Sequence, residues 1–170
     1  MLIAIDPGCS ESAFVVWNGS EILLKGKEPN EAMIQIVKDF GANYHNRCVI
    51  EQIASYGMAV GAEVFETVYW SGRFCQAFGP ERVDRVKRLE VKMHLCHDSK
   101  AKDANIRAAL IDRFGGPTAI KGPQKAKPKK GIPEAPAGAL HGISKDVWSA
   151  LAVGITYWDR HAGARGDDDD

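Results

Sequence analysis

Residues 1–8 of this 170-residue chain read MLIAIDPG, an apolar run that ends in an acid and a Pro-Gly pair. A short apolar run closed by Pro-Gly is typical of a buried strand followed by a turn. A lone carboxylate such as that of Asp6 is costly to place at the mouth of a buried strand. The run therefore predicts a core strand over residues 2–6 and a carboxylate with a function at its end.

Two further acids stand in comparable places. Residues 47–50, RCVI, are followed directly by Glu51, and Asp146 opens the amphipathic stretch at 146–153. Oxygen ligands from several carboxylates suit a divalent metal ion, and such sites usually act on phosphates. If the fold brings Asp6, Glu51 and Asp146 together, we expect a metal site that handles a phosphate substrate.

The rest of the pattern predicts an α/β fold. Asn18-Gly19 is a strong hairpin signal, so the first three strands are predicted to form an antiparallel meander. Strands and helices then alternate, which predicts a mixed sheet with helices on its faces. The predicted strands cover residues 2–6, 12–17, 21–25, 47–51 and 82–86, and the predicted helices cover residues 30–40, 59–78, 103–114 and 144–160.

The pairing of two strands decides whether the acids meet. If the strand at 47–51 runs parallel beside the first strand, Asp6 and Glu51 are neighbours at the carboxyl ends of both. Ligand sites form at that edge in open α/β sheets. Asp146 then needs only a helix that packs beside the same edge.

Composition indicates one globular domain. Apolar residues make up 45% of the chain and charged residues 26%, which is ordinary for a globular protein. No apolar run approaches the roughly 20 residues that span a bilayer, and the N-terminus resembles a core strand more than a signal peptide. The four cysteines form no CxxC pair, which fits a reducing compartment. We therefore expect a cytoplasmic domain over residues 1–162 with no membrane partner.

The zero net charge hides an uneven distribution of charged residues. Residues 82–130 carry 14 Lys or Arg and 5 Asp or Glu, whereas residues 1–46 carry 3 and 6. Such a basic segment is typical of a polyanion-binding protein, although a solvated basic face gives the same pattern. Residues 115–140, rich in Gly, Pro and Lys, predict a mobile basic loop, and residues 163–170 predict a disordered acidic tail.

Three motifs taken together resemble a known family. Ile-Asp-Pro-Gly at 5–8, Ile-Glu-Gln at 50–52 and Asp-x-x-Ser-Ala-Leu-Ala-Val at 146–153 resemble the RuvC-type Holliday-junction resolvases, in their compact bacterial or bacteriophage form. The resemblance covers about residues 1–160. It implies the ribonuclease H-like fold, a mixed five-stranded sheet flanked by helices.

The resemblance also implies an activity and its cofactor. Members of this family are crossover junction endodeoxyribonucleases of recombination and repair. A homodimer binds four-way or other branched DNA and nicks two opposing strands symmetrically. Carried over to this chain, Asp6, Glu51 and Asp146 are the catalytic metal ligands for two Mg²⁺ ions, for which Mn²⁺ can substitute, and Asp6 bridges the two ions.

One position departs from the family pattern. A fourth acid usually follows the third by three residues, but Ser149 stands there in this chain. A serine oxygen is a poorer Mg²⁺ ligand than a carboxylate. The candidates for this fourth metal-ligand position are Ser149 itself, a water molecule, His141 or Asp103.

The resemblance also implies residues that contact DNA. Basic side chains near the predicted helix at 103–114, on the long helix and in the basic loop are expected to contact phosphates. An aromatic residue in the loop after Glu51 is expected to stack on bases at the crossover. The candidates are Tyr56, Arg73, Lys92, Lys100, Lys102, Arg107, Lys125 and Lys127.

Two alternatives remain open from the sequence. The first is a non-catalytic protein of the same superfamily that binds branched nucleic acid with a decayed site, which Ser149 motivates. The second is a phosphotransferase-like nucleotide-binding domain, since an Asp-x-Gly turn also opens that relative of the fold. The short chain disfavours the second, because such enzymes need two lobes around the nucleotide.

Overall fold

Strand β1 (Leu2–Asp6) lies in the middle of a five-stranded mixed sheet in the computed structural model of the protein. It pairs antiparallel with β2 (Glu11–Trp17) and parallel with β4 (Arg47–Gln52). Strand β3 (Ile22–Pro29) continues the sheet beyond β2, and β5 (Val83–Lys87) continues it beyond β4. The strand order β3-β2-β1-β4-β5 confirms the predicted mixed five-stranded sheet and the parallel pairing of β1 with β4.

The structure describes residues 1–55, 57, 59–121 and 138–162. Helices in these parts of the chain cover both faces of the sheet: α1 (Asn30–Gly41), α2 (Ala62–Phe78), α3 (Arg88–Cys96), α4 (Asp103–Arg113), α5 (Thr118–Lys121) and α6 (Val147–Ala162), with a 3₁₀ turn at Pro80–Arg82. No helix among the described residues has both the length and the apolar character needed to cross a membrane.

Alternation along β1 divides its side chains between two cores. Leu2 and Ala4 pack in the core that contains α6, whereas Ile3 and Ile5 pack in the core formed with α1 and α2. Gly154 lets α6 lie directly on β1, because a Cβ atom added there would be 2.9 Å from the Cβ of Ala4. This close approach fixes the helix that follows Asp146.

A buried polar cluster holds the turn after β1. The Ser12 hydroxyl donates to Asn30 Oδ1 at 2.6 Å, and Asn30 Nδ2 donates to the Gly8 carbonyl at 3.0 Å. The Gly8 N–H in turn donates to Ser12 Oγ at 3.2 Å. The cluster pins the segment that follows Asp6 to the beginning of α1 and to β2.

Helix α3 is the longer of two described helices that the sequence pattern did not predict, the other being α5. The apolar residues of α3 recur at every second position, as in a strand, and of these only Val91 is buried. Leu89 and Met93 remain exposed. The beginning of the helix is stabilised instead by Glu90, whose carboxylate accepts a hydrogen bond from the N–H of Lys87 at 2.8 Å.

Other boundaries shift by a few residues. Strand β3 runs to Pro29 rather than to residue 25, because it stays paired with β2 up to Glu11. Helix α2 begins at Ala62 and α6 at Val147, each three residues later than predicted. The described ends of the predicted loop at 115–140 include one short helix, α5, and residues 122–137 lie outside the described part of the chain.

Candidate functional site: an acid pair beside a basic cleft

Asp6 and Glu51 lie side by side at the carboxyl ends of β1 and β4. The register pairs Ile5 with Ile50, so the two acids follow directly on adjacent parallel strands. Their side chains share a hydrogen bond, and Glu51 is only 8% exposed. The sequence prediction that these two carboxyl groups meet at one edge of the sheet agrees with this geometry. We call Asp6 and Glu51 the acid pair.

Two negative charges on the acid pair are costly near neutral pH, even with Arg88 close to Glu51. Burial, the neighbouring Glu51 charge and the shared hydrogen bond together raise the pKa of Asp6 to about 8. Burial also raises the pKa of Glu51, while the nearby Arg88 opposes that rise. The two groups titrate as a unit, so the metal-free pair retains a shared proton near pH 7.

Asp146 directly precedes α6, and its side chain pairs with Lys27 and not with the acid pair. Its carbonyl accepts the first helical hydrogen bond, from the Ala150 N–H at 3.1 Å. The preceding residue, Lys145, has a left-handed backbone with φ of 46°. The negative charge of Asp146 contributes to the raised pKa of Asp6. Its carboxylate nevertheless forms an ion pair with Lys27, at 2.8 Å.

The donor set fits an oxygen-preferring divalent cation only in part. Mg²⁺ and Mn²⁺ prefer carboxylate oxygens as ligands, and either ion would neutralise the negative charge that two buried carboxyl groups carry when ionised. Among the described residues, however, no three His, Cys, Asp or Glu side chains lie close enough together to hold a metal ion. The acid pair is therefore assembled without a third carboxylate, and Asp146 is paired with Lys27 instead.

Arg88 is a site residue that sequence analysis missed. It is the first residue of α3, directly after β5, and its Nη1 lies 3.7 Å from Glu51 Oε2. Its Nη2 forms a hydrogen-bonded ion pair with Asp103. Nη1 is buried and makes no hydrogen bond to any described residue, so a donor remains available beside Glu51. The signal in the sequence was its position, since Arg88 follows the predicted strand at 82–86 and so lies at the carboxyl edge of the sheet.

A basic cleft of about 460 Å³ opens between α4 and the beginning of α6. Arg88 links it to the acid pair, because Arg88 lines the cleft and its Nη1 lies 3.7 Å from Glu51 Oε2. Arg88, Arg107 and Lys145 bring positive charge to its lining, and the guanidinium of Arg107 lies 4.9 Å from the Trp148 ring centre. Asp146 and Ser149 share the lining. The cleft thus places fixed cations beside the acid that opens α6. The residues that line it are Arg88, Asp103, Ala104, Ile106, Arg107, Lys145, Asp146, Trp148 and Ser149.

The candidates for a fourth metal ligand fall in different places. Ser149 lines the basic cleft one turn after Asp146. Asp103 lines it too, but its carboxylate is engaged by Arg88. His141 is exposed on the turn before α6, and it is not among the described side chains that line the cleft. Of the three, Ser149 has the position that the resemblance implies.

The predicted DNA contacts lie in several separate places. Lys92 lines a small cleft of about 280 Å³ with Arg88, Leu89 and Ser99 on the α3 side of the site. Lys100 and Lys102 are exposed in the turn between α3 and α4, and Arg107 lines the basic cleft. Arg73 lies on α2, with its guanidinium 4.3 Å from the Trp70 ring centre. Tyr56, Lys125 and Lys127 lie outside the described residues.

The strand order and the helices on both faces define a ribonuclease H-like α/β fold. Among solved structures, the RuvC protein of Thermus thermophilus has this architecture, with a TM-score of 0.58 and 16% sequence identity over 95% of this chain and 96% of that chain. A structure of T. thermophilus RuvC in complex with Holliday junction substrate gives a TM-score of 0.59 at 15% identity, over 95% of both chains. No protein-family model and no curated protein sequence matches the chain. The RuvC-like fold predicted from the three motifs is confirmed.

Proposed function

We propose that the protein is a Mg²⁺-dependent, structure-selective endodeoxyribonuclease that resolves Holliday junctions and other branched DNA by paired symmetric nicks. The observation that carries this proposal is the buried acid pair at the carboxyl edge of a RuvC-like sheet, linked by Arg88 to a basic cleft. Such a pair is costly unless a cation compensates it. A cleft lined by Arg and Lys suits a phosphodiester backbone.

Asp6, Glu51 and Asp146 are the residues that would hold the metal ions. Bound Mg²⁺ supplies an activated water and neutralises charge on the phosphate that is attacked. The residues of the chain prepare the site for this chemistry. The acid pair would give up its shared proton on binding a cation, and Arg88 holds positive charge with its Nη1 3.7 Å from Glu51 Oε2.

Positive charge continues away from the acid pair along Arg107, Lys145 and the lysines of the α3–α4 turn. They offer contacts to phosphate groups on either side of a scissile bond. Such contacts provide affinity and register without reading sequence. Selection for branched DNA then follows from the spacing of two sites in a dimer, which a continuous duplex cannot satisfy.

We propose that the dimer forms through α2. Phe65, Val68 and Tyr69 are 66%, 51% and 59% exposed, and their spacing places them on one face of the helix. Exposed aromatic and aliphatic side chains grouped in this way are typical of an interface. A cytoplasmic dimer with access to recombining chromosomal or phage DNA is the arrangement that this function requires.

The test is nicking of a synthetic four-way junction in Mg²⁺, with each strand labelled in turn. We expect nicks in two opposing strands and little cleavage of a linear duplex of the same length. Asp6→Asn should abolish nicking and leave junction binding intact. Asp39→Asn is the matched control, because Asp39 is an exposed acid on α1 that accepts a hydrogen bond from Gln35.

A second candidate function is junction binding without cleavage. Ser149 in place of an acid and the engagement of Asp146 by Lys27 are the observations that favour it. Wild-type protein that binds junctions but leaves them intact in both Mg²⁺ and Mn²⁺ would establish this alternative. Equal nicking by wild type and Asp6→Asn would instead refute the catalytic assignment of the acid pair.

A further inference from the structure

Lys27 reaches the candidate metal site from two strands away. The register aligns Asp6 with Ala13 and Ala13 with Lys27, so the three residues form one row across β1, β2 and β3. Residues in one row point to the same face of a sheet. Ala13 is small, so the long side chain of Lys27 passes over it toward α6. Lys27 Nζ lies 2.8 Å from Asp146 Oδ2.

We propose that Lys27 is a positioning residue that competes with the metal ion for Asp146. In the metal-free protein it holds the Asp146 carboxylate away from the acid pair, and metal binding transfers that carboxylate from the ammonium group to the ion. This inference rests on the metal site of the proposed function. It adds a residue that none of the three motifs contains.

The surroundings allow this exchange of partners. The side chain of Asp146 is 50% exposed and stands at the end of a turn, so a change of rotamer meets little packing. Lys27 Nζ also lies 3.4 Å from Glu11 Oε2, so the lysine retains a partner after Asp146 leaves. Asp146 is already close enough to Asp6 for its negative charge to raise the pKa of Asp6.

The consequence is a metal affinity that Lys27 reduces. The side chain of Lys27 is 33% exposed, and a partly exposed ion pair of this kind is weak. We expect its removal to tighten metal binding by about two- to fivefold. The charge-conserving Lys27→Arg should preserve the competition.

The experiment measures Mn²⁺ binding to DNA-free protein by electron paramagnetic resonance, which counts free Mn²⁺ directly. Lys27→Met should bind Mn²⁺ about two- to fivefold more tightly than wild type, and Lys27→Arg should remain close to wild type. Lys25→Met is the matched control, since Lys25 lies two residues earlier on the same face of β3 and its loss removes the same charge. Equal tightening by Lys25→Met and Lys27→Met, or no tightening by Lys27→Met, would overturn the proposal.

A second measurement needs no variant and therefore does not depend on folding of Lys27→Met. An amine-reactive label, read by mass spectrometry, reports how fast Lys27 is modified relative to Lys25. Saturating Mn²⁺ should increase that ratio, because Lys27 loses its 2.8 Å partner. An unchanged ratio in protein that binds Mn²⁺ contradicts the exchange.

The outcomes separate this inference from the proposed nuclease activity. A protein that shows the Lys27 effect on Mn²⁺ but leaves junctions intact retains the inference and loses the activity. A protein that nicks junctions without the Lys27 effect retains the activity and loses the inference. Failure to bind Mn²⁺ at all removes the inference.

Discussion

Replacing Asp6 by Asn should stabilise the metal-free protein, and by more at alkaline pH than at acid pH. The folded-state pKa of Asp6 is raised from 3.8 to about 8. Below pH 3.8 the carboxyl group is neutral in both the folded and the unfolded chain. As pH rises toward 8, the unfolded chain ionises freely while the folded chain does so at a cost, so the free energy of unfolding falls.

The size of the effect follows from the same values. One pKa unit corresponds to about 1.4 kcal/mol, so a pKa raised from 3.8 to about 8 sets an upper limit of roughly 6 kcal/mol. Coupling to Glu51 and access of water from the basic cleft reduce it, and we expect about 1–3 kcal/mol at pH 8. An Asn amide at this position can still donate a hydrogen bond to Glu51.

The assay is thermal and urea unfolding in a metal chelator between pH 4 and pH 9. Asp6→Asn should raise the melting temperature by roughly 2–10 °C at pH 8 and by little at pH 4. Asp39→Asn, on the exposed surface of α1, should show no such pH dependence. If the melting temperatures of wild type and Asp6→Asn change with pH in parallel, the raised pKa of Asp6 in the folded protein is refuted. Added Mg²⁺ should stabilise wild type and leave Asp6→Asn largely unchanged.

Three further changes have distinct expected outcomes. Arg88→Met removes the cation that lowers both pKa values of the acid pair, so the pH of half-maximal junction nicking in Mg²⁺ should move upward. Phe65→Glu places a charge on the exposed face of α2 and should convert the proposed dimer to monomer in sedimentation velocity. Gly154→Ala puts a methyl group 2.9 Å from the Cβ of Ala4 and should lower the free energy of unfolding by about 1–3 kcal/mol in urea titration.

Each of these changes has a matched control. Arg160→Met removes an arginine that pairs with Glu90 away from the acid pair, and it should leave the pH profile unchanged. Glu66→Gln removes a charge from the exposed face of α2 without adding one and should leave the proposed dimer intact. Gly72→Ala, in a helix with open space around the glycine in a single chain, should stabilise by up to about 1 kcal/mol when both glycine variants also carry Phe65→Glu, because Gly72 shares the proposed dimer face of α2. A loss of stability at Gly72 equal to that at Gly154 would contradict the close approach of α6 to β1.

The sheet was predictable because its signals are local. An apolar run ended by Pro-Gly, the Asn18-Gly19 hairpin and the second apolar run before Glu51 each depend on a few neighbouring residues. Helix α3 was not predictable in the same way, because its alternating apolar residues are those of a strand. Tertiary packing, in which Val91 is buried in the core that contains α6, outweighs this local preference.

The sequence by itself determined the α/β class, the carboxylates of Asp6 and Glu51 at the ends of two strands, and the basic segment beyond them. Only the tertiary structure decided which cations approach these acids. Arg88 and Lys27 lie far from their partners along the chain, and their ion pairs exist because strand pairing and helix packing bring separate segments to one edge. Charge interactions act through space, so no local pattern records them. The acid pair could thus be predicted from the sequence, whereas the lysine that holds Asp146 away from it could not.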